Sequence, residues 1–443
     1  MITTYLFRRQ LGSPRLKFGS KSSRGLRPEL TDDVTAKRCL VDRQFEWLRP
    51  TVENELSPLS SSAITWIQID QSEHRYLLEG NADSSISLYD LEKVNQQKEH
   101  INPLVVLCNE VQYRKSIVTR SSREEKGLFK LTHGAQTRSV SRVQWWPLDN
   151  GIFTSSSHDG SLNIWDTNEL SVVCDHTSPS SGLMYGHETN PSGTGLIALA
   201  TEKAGIVLFD MRSGSSFHKI VSRNSTGDRN CPIMDVHWSP GNERHLLSCS
   251  HEDGLKLYDI RKGKVIVNYI KPPHQNKDSA KDKLAQRKKG KKQWEDRIGT
   301  NNCEPVSSLF TSDGGASVIC LCSDSRLFQF DTPTGKLRDV AVLPAPTVPS
   351  HFAYKLSTSR IFPSSSVFIP NGSSSLFKYN IRTSSVEKLV NAHFKGVLCS
   401  EVDDSSMRLF SGSAKGAQLI TWKSVQKESL ILNENEDLSD WDT

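Results

Sequence analysis

The segment SLNIWD at residues 161–166 decides the fold, because variants of it recur along the chain and each closes on an apolar or aromatic residue followed by a polar one. A second apolar run ending in small residues stands upstream of such a unit, as in GIFTSSSHDG at 151–160 and HLLSCSHEDG at 245–254. Each pair of runs predicts two short strands joined by a tight polar turn. The units are SISLYD at 85–90, SLNIWD at 161–166, GIVLFD at 205–210, GLKLYD at 254–259, RLFQFD at 326–331, SLFKYN at 375–380 and AQLITWK at 417–423.

Successive side chains of a strand point to opposite faces, and in SLNIWD both faces carry apolar residues, Leu162 and Ile164 on one and Trp165 on the other. One sheet cannot cover both of its own faces, whereas sheets stacked around an axis can. The closing residues stand at 90, 166, 210, 259, 331, 380 and 422. Gaps of 44, 49, 49 and 42 fit the WD-repeat period of about 40–45 residues, and gaps of 76 and 72 require insertions. We predict an all-β, seven-bladed WD-repeat β-propeller rather than a two-sheet sandwich, whose unrelated strands would not repeat one closing pair.

Length and composition agree with a single large core. A chain of 443 residues buries about three quarters of its unfolded surface, so it needs no disulfide or bound metal to stabilise its fold. Its nine cysteines form no CxxC pair and no Cys/His ligand spacing, which predicts reduced thiols in a cytosolic or nuclear protein. We expect neither a signal peptide nor a membrane span, because no apolar run has the length of either.

The chain is predicted to have three parts. Residues 1–33 form an N-terminal extension, 34–424 the propeller and 425–443 an acidic tail. Within MITTYLFRRQLG at 1–12, a short helix would bring Ile2, Tyr5, Leu6 and Arg9 to one face, and so short a helix must dock on something to be stable. The strand that closes the ring by joining the last blade is expected between Val34 and Leu48.

Two insertions interrupt the repeat, one with mixed charge at about 109–132 and a basic one at 271–304. Residues 271–297 carry ten Lys or Arg against four Asp or Glu, which leaves the rest of the chain nearly neutral, since its formal net charge is +5. This argues against a basic nucleic-acid-binding face on the propeller body. The basic cluster is a candidate nuclear-import signal, with a solvated loop as the alternative; it consists of Arg287, Lys288, Lys289, Lys291 and Lys292.

SSSHDG at 155–160 places Ser, His and Asp together and suggests a catalytic triad. Adjacent residues on one tight turn rarely meet as nucleophile, base and orienting acid, so we interpret them as structural. In a WD blade, Ser157, Asp159, Trp165 and His133 would join in a hydrogen-bonded set, and Asp83, Asp253 and Asp324 would occupy the same turn in other blades. No phosphate-binding loop, paired carboxylates or metal-ligand cluster appears in the sequence, so we predict no enzyme, no cofactor and no metal.

The fourth repeat carries a more specific signal, YDIR at 258–261, and FDMR at 209–212 is a weaker copy of it. YDIR matches the WDxR box of cullin-4 ubiquitin ligase substrate receptors, with Tyr258 in place of Trp. The box places Arg261 at the propeller underside, where a forked cation pairs well with a partner's carboxylate or carbonyl.

The chain as a whole resembles the Cockayne syndrome A family of WD-repeat receptors. The resemblance rests on YDIR and on SRVQWWPLDNGIFTSSSHDGSLNIWDTNEL at 141–170, MITTYLFRRQLGSPRL at 1–16, LFSGSAKGAQLITW at 409–422 and EDLSDW at 436–441. Both insertions depart from the family pattern, as does Lys415, where the last turn would normally carry Asp.

The resemblance implies a nuclear, non-catalytic substrate receptor of a cullin-4 RING ubiquitin ligase in transcription-coupled nucleotide-excision repair. Residues 1–12 would insert into the DNA-damage-binding adaptor, and the targets would be the repair ATPase and the stalled RNA polymerase. The alternatives are a WD scaffold of a chromatin or RNA-processing complex without a ligase and, more weakly, direct nucleic-acid binding by 271–304. The adaptor-binding candidates are Tyr5, Leu6, Arg9, Asp259 and Arg261.

Overall fold

The structure is a computed structural model that describes most residues between 38 and 424. Residues 1–37 and 425–443 lie outside the description. So do residues 40, 47, 52–55, 97–100, 121–122, 149, 178–181, 214, 221–230, 271–302, 349, 361–363 and 390–392. The predicted N-terminal helix, the basic cluster and the acidic tail therefore fall outside the described residues.

Seven small, mainly antiparallel sheets follow one another along the described chain, and together they form the predicted seven-bladed propeller. The strands are β1 (Leu48–Pro50), β2 (Ile64–Ile69), β3 (Tyr76–Asn81), β4 (Ile86–Asp90), β5 (Val105–Cys108), β6 (Phe129–Leu131), β7 (Val140–Trp145), β8 (Ile152–Ser157), β9 (Ser161–Asp166), β10 (Ser171–Thr177), β11 (Met184–Thr189), β12 (Leu196–Thr201), β13 (Ile206–Asp210), β14 (Ser215–Ile220), β15 (Asp235–Ser239), β16 (Asn242–Ser250), β17 (Gly254–Asp259), β18 (Lys264–Ile270), β19 (Pro305–Phe310), β20 (Ser317–Cys322), β21 (Arg326–Asp331), β22 (Leu337–Val342), β23 (Ser366–Pro370), β24 (Leu376–Asn380), β25 (Ser385–Lys388), β26 (Val397–Asp403), β27 (Arg408–Ser413) and β28 (Leu419–Ser424).

Each of the seven repeated units identified in the sequence forms the third strand of a blade, which confirms the predicted repeat. These third strands are β4, β9, β13, β17, β21, β24 and β28. The turn before the third strand, such as 158–160 in the second blade, lies on what we call the upper face. The turn after it, such as 167–170, lies on the underside.

Inner strands are buried on both faces because neighbouring blades pack against each other. All six residues of β20 are buried, whereas outer strand β10 alternates between half-buried and exposed positions. One apolar cluster joins Leu78 and Ile86 of the first blade to Val143 and Phe153 of the second. Burying a side chain of this size contributes about 1.5–3 kcal/mol, so the blades stabilise each other through such clusters.

Ring closure differs from the prediction in its position. The closing strand is β1, which pairs antiparallel with β28 through Leu48 opposite Ser424 and Pro50 opposite Trp422. It therefore begins at the last residue of the window predicted from Val34 to Leu48, and residues 41–44 within that window are helical. Phe45 fixes this helical segment, since its ring lies edge-on to that of Phe368 at 5.3 Å.

The first insertion becomes part of the first blade. Beyond β1 the described part of the chain has three helices, α1 (Leu91–Gln96), α2 (Glu110–Thr119) and α3 (Arg123–Gly127). Helices α2 and α3 lead into β6, which pairs parallel with β5 and gives this blade a fifth strand. None of the described helices is long and apolar enough to cross a membrane.

The sixth blade is the least regular. Its sheet contains β23, β24 and β25, and its inner edge is formed by isolated bridges from Ser357 to Phe368 and from Lys355 to Cys399 of the next blade.

The channel on the propeller axis is occupied by buried ionic side chains. Arg142 of the second blade pairs with Asp235 of the fourth, and Lys355 of the sixth pairs with Glu401 of the seventh at 2.8 Å. Both cations lie over the ring of Trp66 in the first blade, at 4.1 and 5.3 Å from its centroid. The channel therefore acts as a polar core that ties blades together.

Candidate functional site

The serine, histidine and aspartate of SSSHDG do not form a catalytic triad. The Ser157 hydroxyl donates to the Arg138 carbonyl at 3.1 Å, and the His158 ring stacks on Phe352 with centroids 4.8 Å apart. His158 Nε2 is buried and has no hydrogen-bond partner in the described part of the chain. A metal site is also absent, since no cluster of His, Cys, Asp and Glu among the described residues is arranged to hold an ion.

The second blade contains a structural hydrogen-bond network whose members differ from the prediction. Trp165 Nε1 donates at 2.8 Å to Ser155, not to Ser157, because Trp165 pairs with Phe153 and Ser155 is the next residue on that face of the strand, whereas Ser157 lies two residues further along. His133 is exposed, and the buried Gln136 takes the position expected for it by donating to the Ser155 carbonyl at 3.0 Å. The sequence pattern alone does not tell which of two serines on the same face of a strand lies beside the indole.

Asp159 accepts hydrogen bonds from both sides of its turn. Its carboxylate receives the backbone N–H of Thr137 at 2.7 Å and that of Ser161 at 2.9 Å, together with both hydroxyls. Burial alone would raise the pKa of Asp159, but the bonds from Ser161 and Thr137 lower it overall. Asp253 is buried in the equivalent turn of the fourth blade, where its carboxylate pairs with Lys256.

Asp159→Ala is expected to lower the free energy of unfolding by about 1–3 kcal/mol, because it leaves several turn donors without their acceptor. The loss should shrink as pH falls through the lowered pKa, since the native carboxylate is then protonated. Urea unfolding at several pH values measures this loss of free energy. Asp175→Ala, on the exposed outer strand of the same blade, is the matched control and should change stability little. Equal stability of wild type and Asp159→Ala would contradict a structural role of Asp159.

The seventh blade has the same network without its acid. Trp422 Nε1 donates to Ser411 at 2.8 Å, and Ser411 bonds His393 Nε2 at 2.6 Å. A serine hydroxyl that donates to Nε2 leaves the hydrogen on Nδ1, and this buried atom has no partner among the described residues. Burial lowers the pKa of His393 to about 4, so the ring is neutral.

Lys415 occupies the place of the missing acid. Its N–H donates to Ser413 at 3.2 Å, as that of Asp159 does to Ser157, and the next residue in both turns is a glycine with φ +83°. Lys415→Asp is therefore expected to raise the free energy of unfolding by about 0.5–1.5 kcal/mol by giving His393 Nδ1 an acceptor. Lys415→Ala is the control for losing the lysine. Equal stability of the two variants in urea would show that an acid at 415 does not reach the imidazole.

The underside carries the candidate partner-binding residues. Asp259 ends β17, and its carboxylate accepts the backbone N–H of Arg261 at 2.9 Å. Arg261 is exposed, and its guanidinium makes no ion pair within the residues that the structure describes. Asp259 therefore shapes the turn that presents Arg261, which leaves the arginine as the group available to a partner.

The same turn recurs in two other blades. Arg212 N–H donates to Asp210 at 2.9 Å in the third blade, and Arg382 N–H donates to Asn380 at 2.9 Å in the sixth. The Arg212 guanidinium also pairs with Asp210 at 3.1 Å, so it is less available than that of Arg261. The sequence analysis missed YNIR at 379–382, although its spacing repeats that of YDIR. The other candidates, Tyr5, Leu6, Arg9 and the basic cluster, lie outside the described residues.

Comparison with known proteins relates these blades to one class. No family model matches the chain. It is 27% identical over 200 residues to WD repeat-containing protein ATCSA-1 of Arabidopsis thaliana. This match covers 45% of this chain and 40% of that protein. The chain is a seven-bladed WD-repeat propeller. It also matches Radiation-sensitive protein 28 of Saccharomyces cerevisiae, at 25% identity over 28% of the chain and 24% of that protein.

A third WD-repeat relative is the Ribosome biogenesis protein WDR12 homolog of Aedes aegypti, at 30% identity over 31% of the chain and 30% of that protein. The matched part of the chain thus spans between about a quarter and two fifths of these three relatives. None of the three names denotes an enzyme.

Proposed function

We propose that this WD-repeat chain is the substrate-recognition subunit of a cullin-4 RING E3 ubiquitin ligase that acts in transcription-coupled nucleotide-excision repair. The observation that carries the proposal is the exposed Arg261, which makes no ion pair with a described residue and follows the turn that Asp259 forms. The resemblance to the Cockayne syndrome A family and the match to ATCSA-1 over 45% of the chain favour the same function.

In this proposal the chain performs no chemistry. The underside and the N-terminal residues Tyr5, Leu6 and Arg9 hold the DNA-damage-binding adaptor, and the upper face holds the repair ATPase or the stalled RNA polymerase. Bringing the lysines of a target near a ubiquitin-loaded enzyme raises their effective concentration, which is the source of the rate increase. A guanidinium suits the adaptor contact because its fork pairs with a carboxylate or with backbone carbonyls.

A second candidate function is a nuclear WD scaffold for RNA processing without a ligase. It is favoured by the matches to ribosome biogenesis proteins, one of which, YTM1 of Vanderwaltozyma polyspora, covers 54% of the chain at 23% identity. Affinity purification of the tagged chain followed by mass spectrometry separates the two candidates. Recovery of adaptor and cullin supports the receptor, and recovery of pre-ribosomal proteins without them supports the scaffold.

Nuclear location is part of the proposal and depends on the basic cluster. Replacing Lys288, Lys289, Lys291 and Lys292 by Ala is expected to shift a fluorescent fusion toward the cytoplasm, because import receptors bind clustered positive charge. Replacing Lys277, Lys281 and Lys283 in the same insertion is the matched control. If the cluster variant keeps its nuclear signal and its salt dependence of DNA retention, the basic cluster is only a solvated loop.

A further inference from the structure

An open cleft of about 370 Å³ lies on the upper face between the first two blades. Asp83 and Arg138 line it from the turns and loops of these blades, and Leu183 lines it from the start of the third blade. Gln112 lines it from helix α2, so the first insertion forms one of its walls. Its lining is mainly polar, which suits a peptide better than an apolar small molecule.

The two charged residues of the cleft differ in their availability. The Asp83 carboxylate already accepts the Ser60 hydroxyl at 2.9 Å, the Ser85 N–H at 3.0 Å and the Ser85 hydroxyl at 2.6 Å. Arg138 is exposed, and its guanidinium makes no ion pair in the part of the chain that is described. The cleft therefore offers the guanidinium of Arg138 to an anionic ligand, whereas the Asp83 carboxylate beside it already accepts hydrogen bonds from described residues.

His158 gives the cleft a rigid part of its lining. Its Nε2 is buried and has no hydrogen-bond partner among the described residues, and burial, as the main cause, lowers the pKa of His158 to about 4. The neutral ring is held parallel to Phe352, which comes from the loop between the fifth and sixth blades, and edge-on to Tyr185 at 5.7 Å. The imidazole is thus fixed in place before any ligand arrives, which lowers the entropic cost of binding.

Helix α2, which forms one wall of the cleft, is held in place by hydrogen bonds. Asn109, the residue that caps α2, donates to the Ser84 hydroxyl at 2.9 Å and to the Gln136 carbonyl at 2.7 Å, and its oxygen accepts the Gln112 N–H at 3.0 Å. Gln112 therefore lies in a first helical turn that is anchored to both neighbouring blades. The positive end of a helix dipole favours an anion here.

We propose that this cleft binds a carboxylate side chain in an extended acidic segment of a partner protein. Arg138 pairs with the carboxylate, and the Gln112 amide donates to the same segment. A single carboxylate fits better than a phosphate dianion, because Asp83 beside the cleft repels a second negative charge. The proposal goes beyond the receptor function and does not depend on which complex the chain joins.

Selection of a random peptide library displayed on phage against the full-length chain tests the proposal. Wild type is expected to enrich peptides containing Asp or Glu, and the charge-reversed Arg138→Glu should instead enrich peptides containing Lys or Arg. Arg138 is exposed and sits on the surface, so neither its loss nor its reversal should unfold the chain. Failure of wild type to enrich acidic peptides would overturn the proposal.

A synthetic acidic peptide from that selection then tests the residues by fluorescence anisotropy. Arg138→Met should weaken its Kd about tenfold or more. The underside variant Arg261→Ala should bind it unchanged. Equal affinity of wild type and Arg138→Met would overturn the site, whereas failure of the wild-type chain to bind the adaptor would contradict only the receptor function.

Discussion

Arg142→Met is expected to lower the free energy of unfolding by about 3–5 kcal/mol, because it breaks a buried ion pair and leaves the carboxylate of Asp235 only partly compensated. Arg142 is 2% exposed and pairs with Asp235, which is fully buried. The same guanidinium donates to the carbonyls of His187 at 3.0 Å and Val236 at 3.3 Å, in the third and fourth blades. One side chain of the second blade thus holds the inner edges of two others.

The surroundings of Asp235 show that the carboxylate stays ionised. Burial alone would raise the pKa of Asp235, but His237 and Arg142 lower it to about 2. Burial would lower the pKa of His237, but Asp235 and Glu188 raise it to about 9, so His237 is also charged. Loss of Arg142 therefore removes one of two cations that compensate Asp235.

Urea unfolding of Arg142→Met, Asp235→Asn and the double variant tests this account. We expect each single change to be strongly destabilising and the double change to cost clearly less than their sum, since the two residues act as a pair. Arg244→Ala, which changes an exposed arginine near the start of β16 in the fourth blade, is the control. Additive losses, or a stable Arg142→Met protein, would contradict the role of the channel as a polar core.

Leu6→Asp is expected to weaken adaptor binding at least about a hundredfold. The proposal treats Leu6 as an apolar anchor of the N-terminal helix, and a charge placed at a buried interface position costs several kcal/mol. Arg261→Ala should weaken binding less, because an ion pair at the rim of an interface contributes little. Isothermal titration of purified chain and adaptor measures both effects.

Thermal unfolding provides the control for these variants, since both should keep the melting temperature of wild type. Leu11→Asp is a matched comparison, because position 11 does not follow the helical spacing of Ile2, Tyr5 and Leu6. If Leu6→Asp binds as tightly as wild type while wild type binds well, the N-terminal docking mode is wrong and another surface carries the complex.

The repeated closing units predicted the blades because their signal is local. Two alternating strands and a polar turn lie within about 20 residues, so sequence spacing alone indicates them. The closing strand was placed less well, since the pairing of Leu48 with Ser424 joins residues at opposite ends of the propeller. The added strand β6 was missed for a similar reason, because its partner β5 is separated from it by two helices.

Individual contacts within the candidate sites were harder to predict. Ser155 and Ser157 have the same chemistry and lie on the same face of β8, and only the register that pairs Phe153 with Trp165 selects Ser155 for the indole. The channel pair Arg142 and Asp235 lies 93 residues apart in sequence, and neither residue belongs to a repeated motif. The cleft depends on an inserted helix, which brings Gln112 to the same place as Arg138 and Leu183 of the second and third blades.

Co-elution of the purified wild-type chain with the DNA-damage-binding adaptor and the cullin-4 RING ligase tests the central claim most directly. Size-exclusion chromatography with light scattering should show one stable complex containing all components, and Arg261→Ala should reduce its amount. Elution of the wild-type chain on its own, at concentrations where a known receptor forms the complex, would contradict the proposed function.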